Sequence, residues 1–155
     1  MKKKLAALGM AVALCMTGNI WSEVKAAEEV ETPTDFSYLL GEDTLVGYAL
    51  PETRGVYLMG GTSALNKESS TMIGVGGETR AKVVCQVHVT TILERETTLG
   101  WVRVNSWSKT NENATSAAVA RYLTVDRGNY YRVRSSHYAN SDVASSYTDA
   151  LWMAK

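Results

Sequence analysis

The chain has 155 residues, which is enough for one domain of ordinary size and leaves little room for a second. Its 16 Lys and Arg residues balance 16 Asp and Glu residues, and this balance argues against a nucleic-acid-binding protein, because such proteins normally carry a basic excess. A hydrophobic fraction of 45% argues against disorder of the whole chain.

The N-terminus has the pattern of a secretory signal peptide. Three lysines, Lys2–Lys4, precede an apolar run from Leu5 to Met16, which is shorter than the ~20 residues that a membrane-spanning helix needs. Val24 and Ala26 are permitted residues at the −3 and −1 positions of a cleavage site. We therefore expect cleavage of residues 1–26 and a secreted, extracellular, bacterial protein with no stable transmembrane span. The alternative is an uncleaved N-terminal anchor.

Cleavage after Ala26 changes the charge and the cysteine count. It removes four of the 16 basic residues and one of the 16 acidic residues, which leaves 12 and 15 and a net charge of −3. It also removes Cys15, so the exported chain keeps Cys85 alone. An intrachain disulfide is then impossible, and we expect a disulfide-free protein whose stability comes from a hydrophobic core.

The exported chain begins with an acidic segment. Residues 27–44 contain six of the acidic residues, Pro33, and no Lys or Arg, a composition typical of a solvated arm. We predict a partly disordered arm over 27–44, with 27–35 disordered, followed by a single domain over 45–155. The stretch from Phe36 to Leu50 is apolar enough to dock on that domain.

The rest of the chain has the pattern of β-strands. The longest signal runs from Ala81 to Leu93, where apolar residues alternate at a period of two, as in a half-buried strand. The glycine pairs Gly60–Gly61 and Gly76–Gly77 are predicted to end the strands before them. The predicted strands cover residues 55–59, 71–75, 81–93, 101–107, 118–125, 130–139 and 145–153.

These strands predict the fold class. Short strands, turn signals every 8–15 residues and the lack of a long helix after residue 26 indicate an all-β protein, an antiparallel β-sandwich of about seven strands. The turn cluster Asp126–Asn129 predicts that the strands on either side of it pair as a hairpin. The Ala-rich segment Ser116–Ala120 is interpreted as strand, with a short helix as the alternative.

Signatures of catalysis are missing from the sequence. It contains no metalloprotease, nucleophile-elbow, phosphate-loop or paired-cysteine zinc motif, so we expect no enzyme, no cofactor and no metal. His88 lies on the polar face of its predicted strand, and His137 shares a face with Val133. Cys85 lies on the apolar face of its predicted strand, between Val83 and Val87, and is expected to be a buried, unreactive thiol. A hydrolase would need one histidine beside a carboxylate or hydroxyl in a pocket.

An aromatic and basic set is the candidate binding site. In the predicted strands 101–107 and 130–139, the residues that alternate with Val102, Val104 and Val133 face outward if these valines face the core. If the two strands share a sheet, the outward residues form one patch. Flat aromatic rings stack on sugars or on apolar groups of a partner, and Arg pairs with carboxylate or phosphate. The alternative is a structural role, since such side chains also stabilise exposed sheets. The candidate ligand-binding residues are Trp101, Arg103, Trp107, Tyr130, Arg132, Arg134 and Tyr138.

Three segments carry a resemblance to a known group of proteins. Thr79–Val83, Gly100–Trp107 and Gly128–His137 resemble the corresponding segments of small secreted proteins of Gram-positive bacteria, mostly clostridia and bacilli. These proteins are grouped as a family of unknown function. The resemblance implies export and a β-rich fold, and it implies no substrate, cofactor or catalytic residue.

Sequence reasoning therefore predicts a secreted, non-enzymatic binding module that acts at the cell envelope on a ligand of unknown identity. A cell-wall glycan or a protein is the expected partner, and nucleic acid is not. The alternative function is a secreted bacteriocin-like or membrane-active antagonist, which vesicle leakage would distinguish from a plain binding module.

Overall fold

A computed structural model describes residues 29–30, 36–41, 43–50 and 55–155 of the chain. The predicted signal peptide lies outside these residues. The described part is nearly all strand, and every strand pairing in it is antiparallel, which confirms the predicted fold class. A short 3-10 helix covers Phe36–Leu39. The strands are β1 (Glu29–Val30), β2 (Leu45–Ala49), β3 (Leu58–Lys67), β4 (Met72–Thr97), β5 (Gly100–Thr124), β6 (Asn129–Ala139), β7 (Asp142–Tyr147) and β8 (Leu151–Met153).

The β4–β5 hairpin is the spine of the fold. Strand β5 pairs with β4 from Met72 to Thr97 and so occupies one edge of β4 along its length. Strands β3 and β6 share the other edge, with β3 paired to β4 up to Ala81 and β6 paired to it from Val87 onward. Two of the three register shifts between β4 and β5 fall between Arg80 and Val87, in the stretch between these two partners, where β-bulges bend the hairpin.

This bend folds one continuous sheet into two facing layers. The first layer contains β2, β3, the N-terminal half of β4 and the C-terminal half of β5, to which β1 is added. The second layer contains the other halves of the hairpin together with β6, β7 and β8. Strands β2 and β3 contact β7 across the interior. The result is an antiparallel sandwich that is nearly closed, like a barrel.

Several predicted strand limits differ from the observed ones. The predicted strands 71–75 and 81–93 are parts of β4, and 101–107 and 118–125 are parts of β5. Gly76 does not end a strand; it lies beneath Leu39 and Phe36, where a side chain would collide with both. The bend also leaves Val83 49% exposed, although its alternation with Cys85 predicted burial. The Ala-rich segment is strand, as predicted.

The predicted hairpin around Asp126–Asn129 is wrong. Strand β6 pairs with β4, β7 and β8, whereas the preceding part of β5 pairs with the opposite half of β4. The turn therefore carries the chain from the first layer to the second. The predicted last strand is also interrupted, because Thr148–Ala150 separate β7 from β8.

The core lies between the layers. One cluster contains Leu65, Ile73 and Val75 from the first layer and Leu93 and Val133 from the second. A neighbouring cluster contains buried Cys85, as predicted, among small apolar side chains. Burying such side chains supplies the main stabilisation of a fold without disulfides.

The 3-10 helix covers the outer surface of the first layer. Phe36 and Leu39 are buried there against Ala64 and Ala120, which is the docking expected for this apolar stretch. Within the segment 27–35, which was predicted to be disordered, the structure describes Glu29 and Val30, and these form β1 and pair with β5. Residues 27–28 and 31–35 lie outside the described part.

Candidate functional site

The outer surface of the second layer presents a broad, open sheet of polar and aromatic side chains, here called the outer face. Directly paired residues of neighbouring strands project from the same side of a sheet. Arg103, Glu94 and Arg132 therefore form one row across β5, β4 and β6. The next row across β4, β6 and β7 contains Arg134 and Tyr147.

Glu94 ties the centre of the outer face together. Nε of Arg132 donates a hydrogen bond of 2.8 Å to one carboxylate oxygen, and Nε of Arg134 lies 3.3 Å from the other as an ion pair. The guanidinium of Arg132 also stacks 4.3 Å from the ring centroid of Trp101. Glu94 is only 7% exposed, because the two arginines cover it. The three strands thus hold an aromatic ring, two guanidiniums and a carboxylate in one fixed arrangement.

Aromatic pairs lie towards the two ends of this face. At one end, Tyr130 on β6 packs against Trp152 on β8, with ring centroids 4.7 Å apart. At the other, Tyr138 and His88 form a T-shaped pair with ring centroids 5.5 Å apart. Tyr147 is 62% exposed beside Arg134. Each of these aromatic rings keeps part of its surface open to solvent.

Hydroxyl groups join His88 to β5. Its two ring nitrogens lie 2.7 Å from Thr110 Oγ1 and 2.9 Å from Thr90 Oγ1. Thr90 Oγ1 in turn lies 2.9 Å from Ser108 Oγ. The polar stretch beside the central arginines is therefore ordered by its own hydrogen bonds.

Most of the predicted binding residues lie together on this face. Trp101, Arg103, Arg132 and Arg134 surround Glu94, and Tyr130 and Tyr138 lie on the same side of β6, one towards each end. Sequence reasoning missed Glu94, His88, Tyr147 and Trp152. Outward alternation along β4, β7 and β8 was the available signal, but their place beside β6 depends on long-range pairing.

Trp107 is the exception, and its predicted position on the outer face is wrong. Leu93 pairs with Asn105 while the adjacent Glu94 pairs with Arg103, so Val104 is an extra residue in β5. This bulge reverses which side chains face outward. Trp107 consequently pairs with Thr91 and packs against both core clusters.

A network of hydroxyls surrounds His137 inside the sandwich. Thr79 donates to the carbonyl of His88 at 3.0 Å and so accepts from Nδ1 of His137 at 2.9 Å. Nε2 is then the acceptor for Ser146, whose Oγ lies 2.7 Å away. Burial lowers the pKa of His137 to about 4, so the ring is neutral at pH 7.

This His–Ser pair resembles a nucleophile and its base, but its surroundings differ from those of an active site. His137 is 0% and Ser146 is 2% exposed, and Gly61 lies directly against the imidazole ring. A substrate carbonyl needs space beside the hydroxyl, and here described residues enclose it. The hydrolase hypothesis therefore gains no support from this pair.

A cleft of about 270 Å³ lies on the other layer. Its walls include Tyr48, Leu50 and Met59, and Glu78 and Arg80 form an ion pair of 3.0 Å there. Among the described residues, no group of three or more His, Cys, Asp or Glu side chains is placed to hold a metal ion. That part of the chain also contains no helix long and apolar enough to cross a membrane.

The fold and the outer face define an all-β sandwich domain with an open polar and aromatic surface. The chain belongs to the family of unknown function DUF6147, whose family model matches residues 24–155. The expected membership of a family of unknown function is thereby confirmed. No curated protein and no solved structure matched the chain.

Proposed function

We propose that this protein is a secreted, non-enzymatic binding module that recognises its ligand with the outer face and acts at the cell envelope. The observation that carries the proposal is the stacking of Arg132 on Trp101 while the same guanidinium is held by Glu94. Such fixed side chains lose little conformational freedom when a ligand binds. Aromatic rings and arginines are also the side chains that dominate binding energies at protein surfaces.

The solvent exposure of the surrounding rings supports the same function. Tyr138, Tyr147 and Trp152 are 38%, 62% and 43% exposed, and all three project from the second layer. A monomeric protein rarely exposes so many large aromatic side chains on one face unless the face binds something. Ser and Thr residues between them keep the face wettable without a ligand.

Export is supported by the N-terminal sequence. The basic start, the short apolar run and the small residue at Ala26 predict removal of residues 1–26. Expression of the full chain in a Gram-positive host, followed by mass spectrometry of the medium, tests this. We expect a protein that starts at Ala27; retention of the intact chain in the cell would contradict secretion.

The binding proposal is tested by a pull-down and a glycan-array screen with the secreted protein. The variant Tyr138→Ala/Tyr147→Ala/Trp152→Ala removes exposed rings of the outer face, and we expect it to lose the ligand. The matched control is Tyr48→Ala, which removes a ring that is 73% exposed on the first layer. Circular dichroism first establishes that the variants fold. Equal binding by the wild type and the folded triple variant would contradict the proposal.

A second candidate function is membrane-active antagonism, which one observation favours. Leu99 is 96% exposed at the tip of the β4–β5 hairpin, and Val102 behind it is 40% exposed. An apolar tip next to the interfacial residue Trp101 suits contact with a lipid surface. Leakage of dye from vesicles, suppressed by Leu99→Ser, would support this function; intact vesicles with the wild-type protein would reject it.

A further inference from the structure

We infer that the ligand of the outer face is an extended acidic glycan, a polymer of hydroxyl-rich rings that carry carboxylate or phosphate groups. This inference rests on the proposed function and adds the chemical class of the ligand. Three features of the face lead to it: a cluster of three arginines at its centre, the length over which the aromatic rings are spread, and the polar groups between them.

The charge at the centre of the face favours an anion. Arg103, Arg132 and Arg134 occupy two adjoining rows; Glu94 lies among them, Glu96 lies one row further along β4, and exposed Asp149 lies in the link between β7 and β8. Both oxygens of Glu94 already face the Nε atoms of two arginines. A guanidinium has five donors, so most of the donors in this group remain for an incoming oxyanion.

Arg103 is the side chain best placed to meet such a group. It is exposed and lies directly across from Glu94 in the β4–β5 register. Arginine matches carboxylate and phosphate oxygens with two parallel hydrogen bonds. Its substitution leaves the ion pairs of Glu94 with β6 in place, which makes it a clean test position.

The aromatic rings indicate a long ligand. Tyr130 and Tyr138 are eight residues apart on β6, which corresponds to about 27 Å at 3.4 Å per residue. Tyr147 lies between them on β7, opposite Arg134, and Trp101 lies on β5 at the level of Tyr130. The face is an open sheet, so a ligand that reaches both ends must lie along it. Flat, partly exposed rings spaced in this way suit successive sugar rings.

The polar groups between the rings favour a glycan over a protein partner. Protein interfaces usually have an apolar centre from which charged residues are depleted. Here the centre contains the Glu94 ion pairs, and the adjoining rows contain Thr90, Ser108 and Thr110. Sugar hydroxyls can exchange hydrogen bonds with such a surface without leaving buried polar groups unpaired.

The inference is tested by calorimetric titration of the full-length protein at low salt. The probes are polygalacturonate for carboxylates, phosphorylated dextran for phosphates, neutral dextran for rings without charge, and polyglutamate for carboxylates without rings. We expect one of the two acidic glycans to bind at least about tenfold more tightly than neutral dextran and polyglutamate. Added salt should weaken this binding.

Two substitutions of a single positive charge separate the outer face from the net charge of the protein. Arg103→Gln should weaken binding of the acidic glycan about tenfold, the usual effect of losing one charge-assisted hydrogen bond. Lys67→Gln removes an exposed charge at the end of β3 in the first layer and should leave the affinity unchanged.

Each other outcome has a definite meaning. Equal affinity for neutral and acidic dextrans, with loss on Tyr147→Ala, would overturn the acidic ligand and leave the proposed binding face standing. Equal weakening by Arg103→Gln and Lys67→Gln would overturn the assignment to this face. Binding of polyglutamate as tight as that of the glycans, or no binding of any probe, would overturn the inference.

Discussion

The hydroxyl of Ser146 lies 2.7 Å from Nε2 of His137, and both side chains are enclosed between the two layers. The hydrogen bonds of the network place the imidazole proton on Nδ1, where Thr79 accepts it. Protonation of Nε2 would therefore break the bond from Ser146 to that nitrogen and bury a charge among neutral hydroxyls. The histidine acts as a conformational constraint on the interior, and its titration sets how the fold responds to acid.

Stability is expected to fall between pH 6.5 and pH 4. The pKa of His137 is about 4 in the folded protein and about 6.5 in an unfolded chain. The unfolded state thus binds a proton in this window that the folded state does not bind, and the free energy of unfolding falls by about 3 kcal/mol as the pH is lowered through it. Chemical denaturation at pH 7, 6, 5 and 4 measures this. The variant His88→Gln should show the same dependence of the free energy of unfolding on pH. Loss of that dependence in the variant would mean that His88, and not His137, is responsible for it.

Gly61→Ala should strongly destabilise the protein. A Cβ atom at Gly61 would overlap the imidazole of His137, which is held on both nitrogens and cannot move aside. Overpacking of a core costs about 1–3 kcal/mol, and we expect a loss at the upper end of this range or failure to fold. Gly41→Ala is the control, because its Cβ would meet Thr44 Oγ1 at an ordinary 3.7 Å. Similar free energies of unfolding for both variants would show that a methyl group at position 61 fits beside the imidazole of His137.

Glu94→Gln should reduce stability and the sensitivity of stability to salt. The substitution leaves two guanidiniums facing each other without their shared carboxylate. Because both arginine side chains are partly exposed, solvent screens the pair, and we expect a loss of about 1–2 kcal/mol. Glu96→Gln, at an exposed position two residues further along β4, should change the free energy of unfolding by less than about 0.5 kcal/mol. An equal effect of the two substitutions would contradict a special role for Glu94.

Trp107→Ala and Trp101→Ala are expected to differ. Trp107 is partly buried against both core clusters. Removal of a fully buried Trp costs about 3–5 kcal/mol, so we expect a loss near the lower end of this range. Trp101 lies under a guanidinium on the outer face, and its loss should cost about 1 kcal/mol. Urea denaturation of the two variants measures the difference. The opposite order of stabilities would place Trp107, not Trp101, on the outer face.

The parts of the fold that depend on local alternation were predictable. The period of two identified the β class, and along β6 it correctly separated His137 and Val133 inside from Arg132 and Tyr138 outside. Burial of Cys85 followed from the same pattern. These features need only the neighbours of each residue along one strand.

The errors arose where distant pairing decides the structure. A single extra residue at Val104 moved Trp107 to the core side, and nothing local in β5 announces that bulge. Gly76 resembled a strand end because glycine usually marks turns, whereas its reason here is the overlying 3-10 helix. Glu94 joined the site only through the pairing of β4 with strands on both sides.

Because β4 and β5 run through both layers, neither layer can be exchanged or altered in length independently of the other. An insertion or deletion at Ala81 would rotate the remainder of β4, and with it the partner positions of β5 and β6, so a change made in one layer would misalign the other. Truncation after Asp126 would strip β6 from the edge of β4 between Val87 and Arg95. Recombination that preserves this fold must therefore exchange the sandwich whole.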